Sequence, residues 1–324
     1  MTNLEIIVPF ALPPAEHAKD LLGQLQLPAL AQLLARAKSG HQQQADNFAP
    51  ALPHEQWLAN AQTDNSPPVA NLAMQAFGMT EAGNWFLLQP ASLHIARDHL
   101  VLTDRRQLGL SDEESRALFN IALPFINESG LALRYADAGT WFLRADAWQG
   151  LRTCTPDAAC GHNIDIWQPK GEGERAWRKL LNELQMLWHT HAVNEAREAR
   201  GAHRINSAWL WGAGQHEANA QKGLAILAQQ AIGSTHASLN LDSSLMLIDT
   251  LIAPALAGDW SNWLTELSQL EQSCFAPLLS ALKDGHVDSV TLVLTDSNRL
   301  QTWHARRTSM RKFWIKPSLA RLAS

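Results

Sequence analysis

Cysteine is scarce in this chain: Cys154, Cys160 and Cys274 are the only three in 324 residues. A count so small and odd excludes a disulfide-framed fold. Cys154 and Cys160 are separated by five residues, which is not a zinc-ligand spacing, so they read as free thiols rather than as a Cys154–Cys160–His162 metal trio. Long apolar runs are missing as well. None approaches the ~20 residues of a membrane span. The first residues lack a basic stretch leading into an apolar core, so no signal peptide is expected. The expectation is a soluble, reduced, cytoplasmic protein.

Tyrosine occurs once, against thirteen tryptophans. Tryptophan buries much area and needs a partner for its indole N–H. Such a set reads as core filler, with a tryptophan-lined ligand cleft as the alternative. Acid is absent from the end of the chain. From Arg299 to Ser324 there are seven basic residues, Arg299, Arg306, Arg307, Arg311, Lys312, Lys316 and Arg321, and no Asp or Glu. That leaves 19 basic against 31 acidic residues elsewhere, a balance of −12 within a total of −5. With Trp303, Phe313 and Trp314 interleaved, residues 299–321 could meet an anionic or protein partner: phosphate, nucleic acid or a lipid headgroup. The alternative is a last strand or hairpin docked on an acidic body, which itself would oppose general nucleic-acid binding.

What is present is a succession of strands and helices. Leu4–Val8 and Val290–Leu294 are short apolar runs that read as buried strands. Leu27–Ala37 has helical spacing, with Pro28 allowed at its start. His41–Pro68 reads as loop apart from a helix near His54–Asn60. Val69–Phe77 reads as helix, and Phe86–Leu88 and His94–Leu102 as strand. Ser111 and Glu114 make a capping box that opens a helix running to about Glu128. Leu131–Tyr135 and Thr140–Arg144 read as paired strands. Arg152–Gly173 is loop, and Glu174–Arg200 one long helix on which His189 and His191, two apart, cannot chelate together. Ser207–Trp211 is a strand ending in Gly212-Ala213-Gly214. Helices follow from about Ala220 to Ala231, over Leu245–Leu256 and over Trp260–Asp284, and a further strand precedes the basic end. Strands alternating with helices predict an α/β fold with a mostly parallel sheet flanked by helices.

One run carries a family likeness. His191-Ala192-Val193-Asn194, Arg197, Gly201, Asn206 and Trp209-Leu210-Trp211-Gly212-Ala213-Gly214 resemble the "HPVN…R…G…NAIWLWGQG" pattern of archaeal-type cofactor-independent phosphoglycerate mutases, in the alkaline-phosphatase superfamily. Gly161-His162-Asn163-Ile164 resembles that family's "PHDI", and Ser66-Pro67-Pro68-Val69-Ala70-Asn71-Leu72 its "GSDVANL". The chain also resembles a small group of bacterial proteins labelled RpfE-type regulatory proteins or predicted phosphoglycerate mutases, through their "NSLWLWGGG" and their aromatic-basic end, here Arg311-Lys312-Phe313-Trp314. The resemblance implies an alkaline-phosphatase-like α/β core over 1–107 and 203–324, with a smaller α+β domain inserted at 108–202.

The mutase reaction needs two divalent metals and a serine nucleophile. The first metal ligand of the family follows strand one in "PDGxxD"; here Pro9-Phe10-Ala11-Leu12-Pro13-Pro14 holds no carboxylate. Ser66 stands where the nucleophile belongs, but Pro67 replaces the aspartate after it. The "DHxTP" motif is replaced by Thr295-Asp296-Ser297-Asn298, without histidine. His236, Asp242 and Asp249 lie close in sequence without the DxxxH order. The expectation is therefore no metal cofactor, with manganese or zinc in displaced ligands as the alternative.

Ser66 is the candidate catalytic residue. His162, Asn194, Arg197, Asn206, Gly212 and Gly214 are the candidate contacts to a phosphorylated small molecule, through guanidinium and backbone N–H groups. Equally, Asn206 and the glycines shape a turn, and Arg197 pairs with Glu183, Glu195 or another acid; both readings stand at this point. The function expected is a degenerate, metal-free, phosphoglycerate-mutase-like protein acting as a regulatory or ligand-binding module. The alternatives are an active metal-dependent mutase or phosphatase, and an interaction protein that works through its basic aromatic end.

Overall fold

The computed structural model describes residues 3–60, 64–214, 221–233 and 239–323. In chain order the strands are β1 (Asn3–Val8), β2 (Lys38–Gln44), β3 (Trp85–Ala91), β4 (Leu93–Ala96), β5 (His99–Leu102), β6 (Ala132–Asp137), β7 (Thr140–Arg144), β8 (Leu151–Arg152), β9 (Lys170–Gly171), β10 (Ser207–Trp211), β11 (Leu245–Leu247), β12 (Ser289–Thr295) and β13 (Arg299–Arg306). The helices are α1 (Ala18–Gln24), α2 (Pro28–Arg36), α3 (Pro53–Ala59), α4 (Ala70–Ala76), α5 (Asp112–Glu128), α6 (Pro156–Ala159), α7 (Glu174–His189), α8 (Ala192–Ala199), α9 (Gln221–Ala231), α10 (Ile252–Leu256), α11 (Trp260–Leu270) and α12 (Ala276–Asp284). They form two compact units, one of residues 1–47 with 235–324, the other of residues 48–234. The boundaries expected at 107/108 and 202/203 both fall inside the second unit.

The first unit is built on a five-stranded sheet, β11-β1-β12-β13-β2. The mostly parallel sheet expected is found only across β11-β1-β12; β13 and β2 run antiparallel. The reason is local. Only Asp296-Ser297-Asn298 separate β12 from β13, and so short a link can join only antiparallel strands. Asp296 closes it, accepting from the Asn298 and Arg299 amides at 2.9 and 2.6 Å and from Arg299 Nε at 2.5 Å. β2, whose polar residues from His41 onward read as loop in the sequence, is an edge strand with exposed side chains. Its pairing with β13 rests on main-chain bonds, which no apolar pattern announces.

Leu245–Leu256 is not one helix but β11 and then α10. The segment has both apolar runs, and pairing with β1 claims the first of them. Trp260–Asp284 stays helical through a π turn at Glu271–Phe275. There Glu271 is buried and accepts from the Ala29 and Leu30 amides at 2.5 and 3.2 Å, capping α2 from 242 residues away.

The second unit centres on a wholly antiparallel sheet, β10-β3-β7-β6. Every residue of β3 and β10 is buried, because both faces are covered. Phe86, Leu88, Trp141, Leu143, Ala208 and Leu210 face the core under α5 and α7; on the other face Leu87 lies near Gly212 and Val69, Gln89 donates to the Ala231 carbonyl and Trp209 to that of Cys154. The Ser111–Glu114 capping box is present, at 3.2 Å in both directions. The long helix expected over Glu174–Arg200 is two, α7 and α8. It breaks at Thr190-His191, where His191 leaves helical geometry and its Nδ1 accepts from the Val193 amide at 3.2 Å.

Tryptophan is mostly filler: Trp85, Trp141, Trp177, Trp188, Trp263 and Trp303 are among the largest fully buried side chains. Trp141 bonds Ser115 Oγ and Trp188 bonds the Leu118 carbonyl, each at 3.1 Å. No helix among the described residues is long and apolar enough to cross a membrane.

Candidate functional site

Ser66 lies at the foot of α4 and is 3% exposed. Its hydroxyl accepts from the Gly212 amide at 3.0 Å and shares a hydrogen bond with Thr153 Oγ1 at 2.8 Å. Its own amide donates to Asn65 Oδ1 and to the Thr153 carbonyl. Gly212 in turn accepts from the Ala70 amide at 2.8 Å, so the turn after β10 is stitched to the start of α4. Gly212 has φ +82°, and a Cβ there would sit 3.2 Å from both Leu87 Cδ1 and Val69 Cγ2. Glycine is required on both counts. The serine hydroxyl is thus buried and hydrogen-bonded on both sides.

Beside it lies a buried charged cluster that the sequence did not disclose. Arg106 grips Asp157 with two bonds, at 3.0 and 2.5 Å, and Asp104 at 2.9 Å. Arg105 donates to the Gln230 and Ala231 carbonyls. Glu55 Oε2 accepts from the Leu52 amide and from Thr155 Oγ1, both at 2.7 Å. Burial, reinforced by the Asp157 charge, pushes the Glu55 carboxyl up to about 8. Burial pushes the His54 imidazole down to about 3, and neither ring nitrogen has a partner among the described residues. Burial works to raise Asp157 as well, but Arg106 carries it below its ordinary value. The two cavities touching this cluster are about 10 Å³ each. That is room for a water, not for a phosphorylated metabolite. The partners Arg106 and Asp157 are 51 residues apart, so no local spacing could have revealed them.

The other candidates are placed as follows. Asn194 is fully buried; its amide donates to the Trp188 and Ile205 carbonyls and its oxygen accepts from the Ile205 amide. Arg197 is also fully buried. It pairs with Glu114 at 2.6 Å and donates to the carbonyls of His203, Leu108 and Gly109, so its acid partner is neither Glu183 nor Glu195. Asn206 exchanges two bonds with the backbone of Leu93, at 2.7 and 2.8 Å. His162 is exposed and stacks on Trp167 at 5.9 Å. Gly214 is exposed, with φ +127°. Gly212, by contrast, is hydrogen-bonded to Ser66.

A larger opening lies elsewhere in the same unit. A cleft of about 700 Å³ is floored by Phe125, Leu131, Trp148 and Leu180 and edged by Arg144, Asp146 and Lys179. Its size and mixed lining suit a small ligand. Arg144 is paired with Asp146 at 2.7 Å; Lys179 has no side-chain partner among the described residues.

At the positions where the resembled motifs would place metal ligands, the side chains are either apolar or already hydrogen-bonded. Pro9–Pro14 offers no carboxylate, the Asp296 carboxylate is bound to Arg299 and two amides, and the Ser66 hydroxyl is already paired on both sides. Among the described residues no three His, Cys, Asp or Glu side chains converge as a metal site. His236 lies outside the described residues, as does Ala220, the expected start of α9. Burial pushes the thiols up, Cys154 to about 11 and Cys160 and Cys274 to about 12.

No protein-family model matches the sequence. No curated protein matches it either. Solved structures do. The PH0037 protein from Pyrococcus horikoshii is 14% identical with a TM-score of 0.50, over 94% of this chain and 87% of that one. The cofactor-independent phosphoglycerate mutase from Thermoplasma acidophilum DSM 1728 is 13% identical with a TM-score of 0.42, over 100% and 95%. The chain is a mixed α/β protein that shares the fold of the first, and that likeness assigns no residue a role.

Proposed function

We propose that this chain is a catalytically silent relative of the cofactor-independent phosphoglycerate mutases, which works by binding a small ligand rather than by turning one over. The observation that carries this reading is the state of Ser66. A nucleophile needs a free face and a base or metal to take its proton. Ser66 is 3% exposed, with Gly212 N–H on one side and Thr153 Oγ1 on the other. The unsuitable donor set at the metal positions supports the same reading. The mutase-like run from His191 to Gly214 is kept as scaffold: Asn194, Arg197 and Asn206 brace their own chain.

The ligand site in this reading is the cleft above Trp148, where Lys179 supplies a cation for a phosphate or carboxylate and the apolar floor holds the body of the molecule. A regulatory role rests on the resemblance to RpfE-type proteins alone. The test is an assay with 3-phosphoglycerate in Mn²⁺, Zn²⁺ and Co²⁺. No turnover is expected in any of them. Metal-dependent turnover that disappears in Ser66→Ala would overturn the proposal and restore an active mutase.

A further inference from the structure

Two features of the first unit have no role in that reading. Phe313 and Trp314 are 82% and 68% exposed, among the most exposed large apolar side chains of the described residues. They are adjacent, and their rings meet edge to face at 5.2 Å and 80°. Together they offer on the order of 300 Å² of ring surface to solvent. Around them Arg311, Lys312 and Lys316 are exposed, and none has a side-chain partner among the described residues. No acid occurs after Asp296.

This is not a loose end. On one side Met310 is buried, and its carbonyl accepts from Arg36 at 2.7 Å. On the other, Arg321 donates to the Leu34 and Ala37 carbonyls at 2.6 and 3.0 Å, and Leu322 is fully buried. Both ends of the segment are therefore fastened to α2. Between them the chain turns tightly, with Phe313 N–H on the Arg311 carbonyl and Ile315 N–H on that of Lys312. Pro317 stiffens the return. A turn fixed at both ends presents two aromatic rings and three cations without the entropy cost of ordering a tail.

We propose that residues 311–316 dock this protein on an anionic lipid surface: Phe313 and Trp314 enter the headgroup layer while Arg311, Lys312 and Lys316 engage lipid phosphates. The charge selects an anionic partner. Aromatic rings with a polar edge partition to the membrane–water boundary, and cationic side chains beside them reach the headgroups. The ring geometry separates lipid from nucleic acid. Bases stack on ring faces presented as a platform, whereas these rings pack edge against face and project as a wedge. A protein partner would have to bring a matching cavity; a lipid layer deforms around a wedge. One such turn gives reversible, salt-sensitive attachment, not permanent anchoring.

The test is sedimentation of the full chain with phosphatidylcholine vesicles, with and without a roughly one-third share of phosphatidylglycerol. Binding is expected only to the anionic vesicles, weakening as salt rises. Phe313→Ala/Trp314→Ala and, separately, Arg311→Glu/Lys312→Glu are each expected to reduce it by about tenfold or more. All four side chains are exposed, so an unchanged melting temperature will show that the variants fold. Failure of the parent chain to bind anionic vesicles would overturn the proposal, as would binding that survives the aromatic double variant. Binding to a single-stranded oligonucleotide with the same sensitivity, in place of vesicles, would also overturn it.

Discussion

The Gly212 amide donates to the Ser66 hydroxyl at 3.0 Å, across 146 residues of sequence. The bond joins the end of β10 to the foot of α4, and it uses the oxygen that a mutase would need for attack. Removing that oxygen leaves a buried N–H without an acceptor. Ser66→Ala is expected to cost about 1–3 kcal/mol, read as a fall in urea midpoint with unchanged slope. No stability change would mean that the serine is free, and would reopen its candidacy as a nucleophile.

Gly223 gives a second test, with an unusual sign. It lies inside α9, where Gly→Ala ordinarily stabilises by about 1 kcal/mol. Here an added Cβ would fall 1.9 Å from the Leu58 carbonyl oxygen of α3. The backbone cannot yield as a side chain would, so α9 must shift. Gly223→Ala is expected to destabilise by about 2 kcal/mol or more, measured by thermal and urea unfolding. A stabilised variant would show that α3 and α9 do not pack this closely.

Arg197 is the strongest case for brace over ligand contact. Its guanidinium is fully buried on Glu114 and three carbonyls. Arg197→Met would strand these acceptors, at a cost of about 3–5 kcal/mol. Arg197→Lys should not rescue it, because a single ammonium cannot reproduce the fork. If urea unfolding instead shows Arg197→Met as stable as the parent, the arginine is available for an anionic ligand after all.

The Glu55–His54 pair predicts a pH profile. Glu55 is raised from 4.5 to about 8, so its contribution is full below pH 4.5 and is lost as pH rises toward 8. His54 is lowered from 6.5 to about 3, so its contribution is full above pH 6.5 and is lost as pH falls toward 3. Between pH 4.5 and 6.5 the two slopes cancel, and above that window the Glu55 loss stands alone. The parent chain should lose about 2 kcal/mol more than Glu55→Gln between pH 6.5 and pH 8. Urea unfolding at the two pH values measures it; an equal loss in both proteins would place the titrating group elsewhere.

Local pattern sets much of this protein. β1, β12, α2, the capped start of α5 and the β6–β7 pair are all legible because each carries its own apolar period, cap or turn. The glycine turn after Trp211 is legible for the same reason, since its positive φ demands glycine. The missing carboxylate after β1 and the proline after Ser66 are read directly from the sequence. What the sequence leaves open depends on partners far along the chain. β2 exists because β13 offers a free edge, and β11 is a strand because β1 claims it. Arg106 finds Asp157 across 51 residues and Glu271 caps α2 across 242. Asn194, Arg197 and Asn206 have side chains equally able to hold a phosphate or a protein group, and in the fold they bond backbone groups and, for Arg197, the Glu114 carboxylate. A hydrogen-bonding group announces its capacity in the sequence; which acceptor it meets is fixed by burial, where leaving it unpaired costs more than almost any local preference can return.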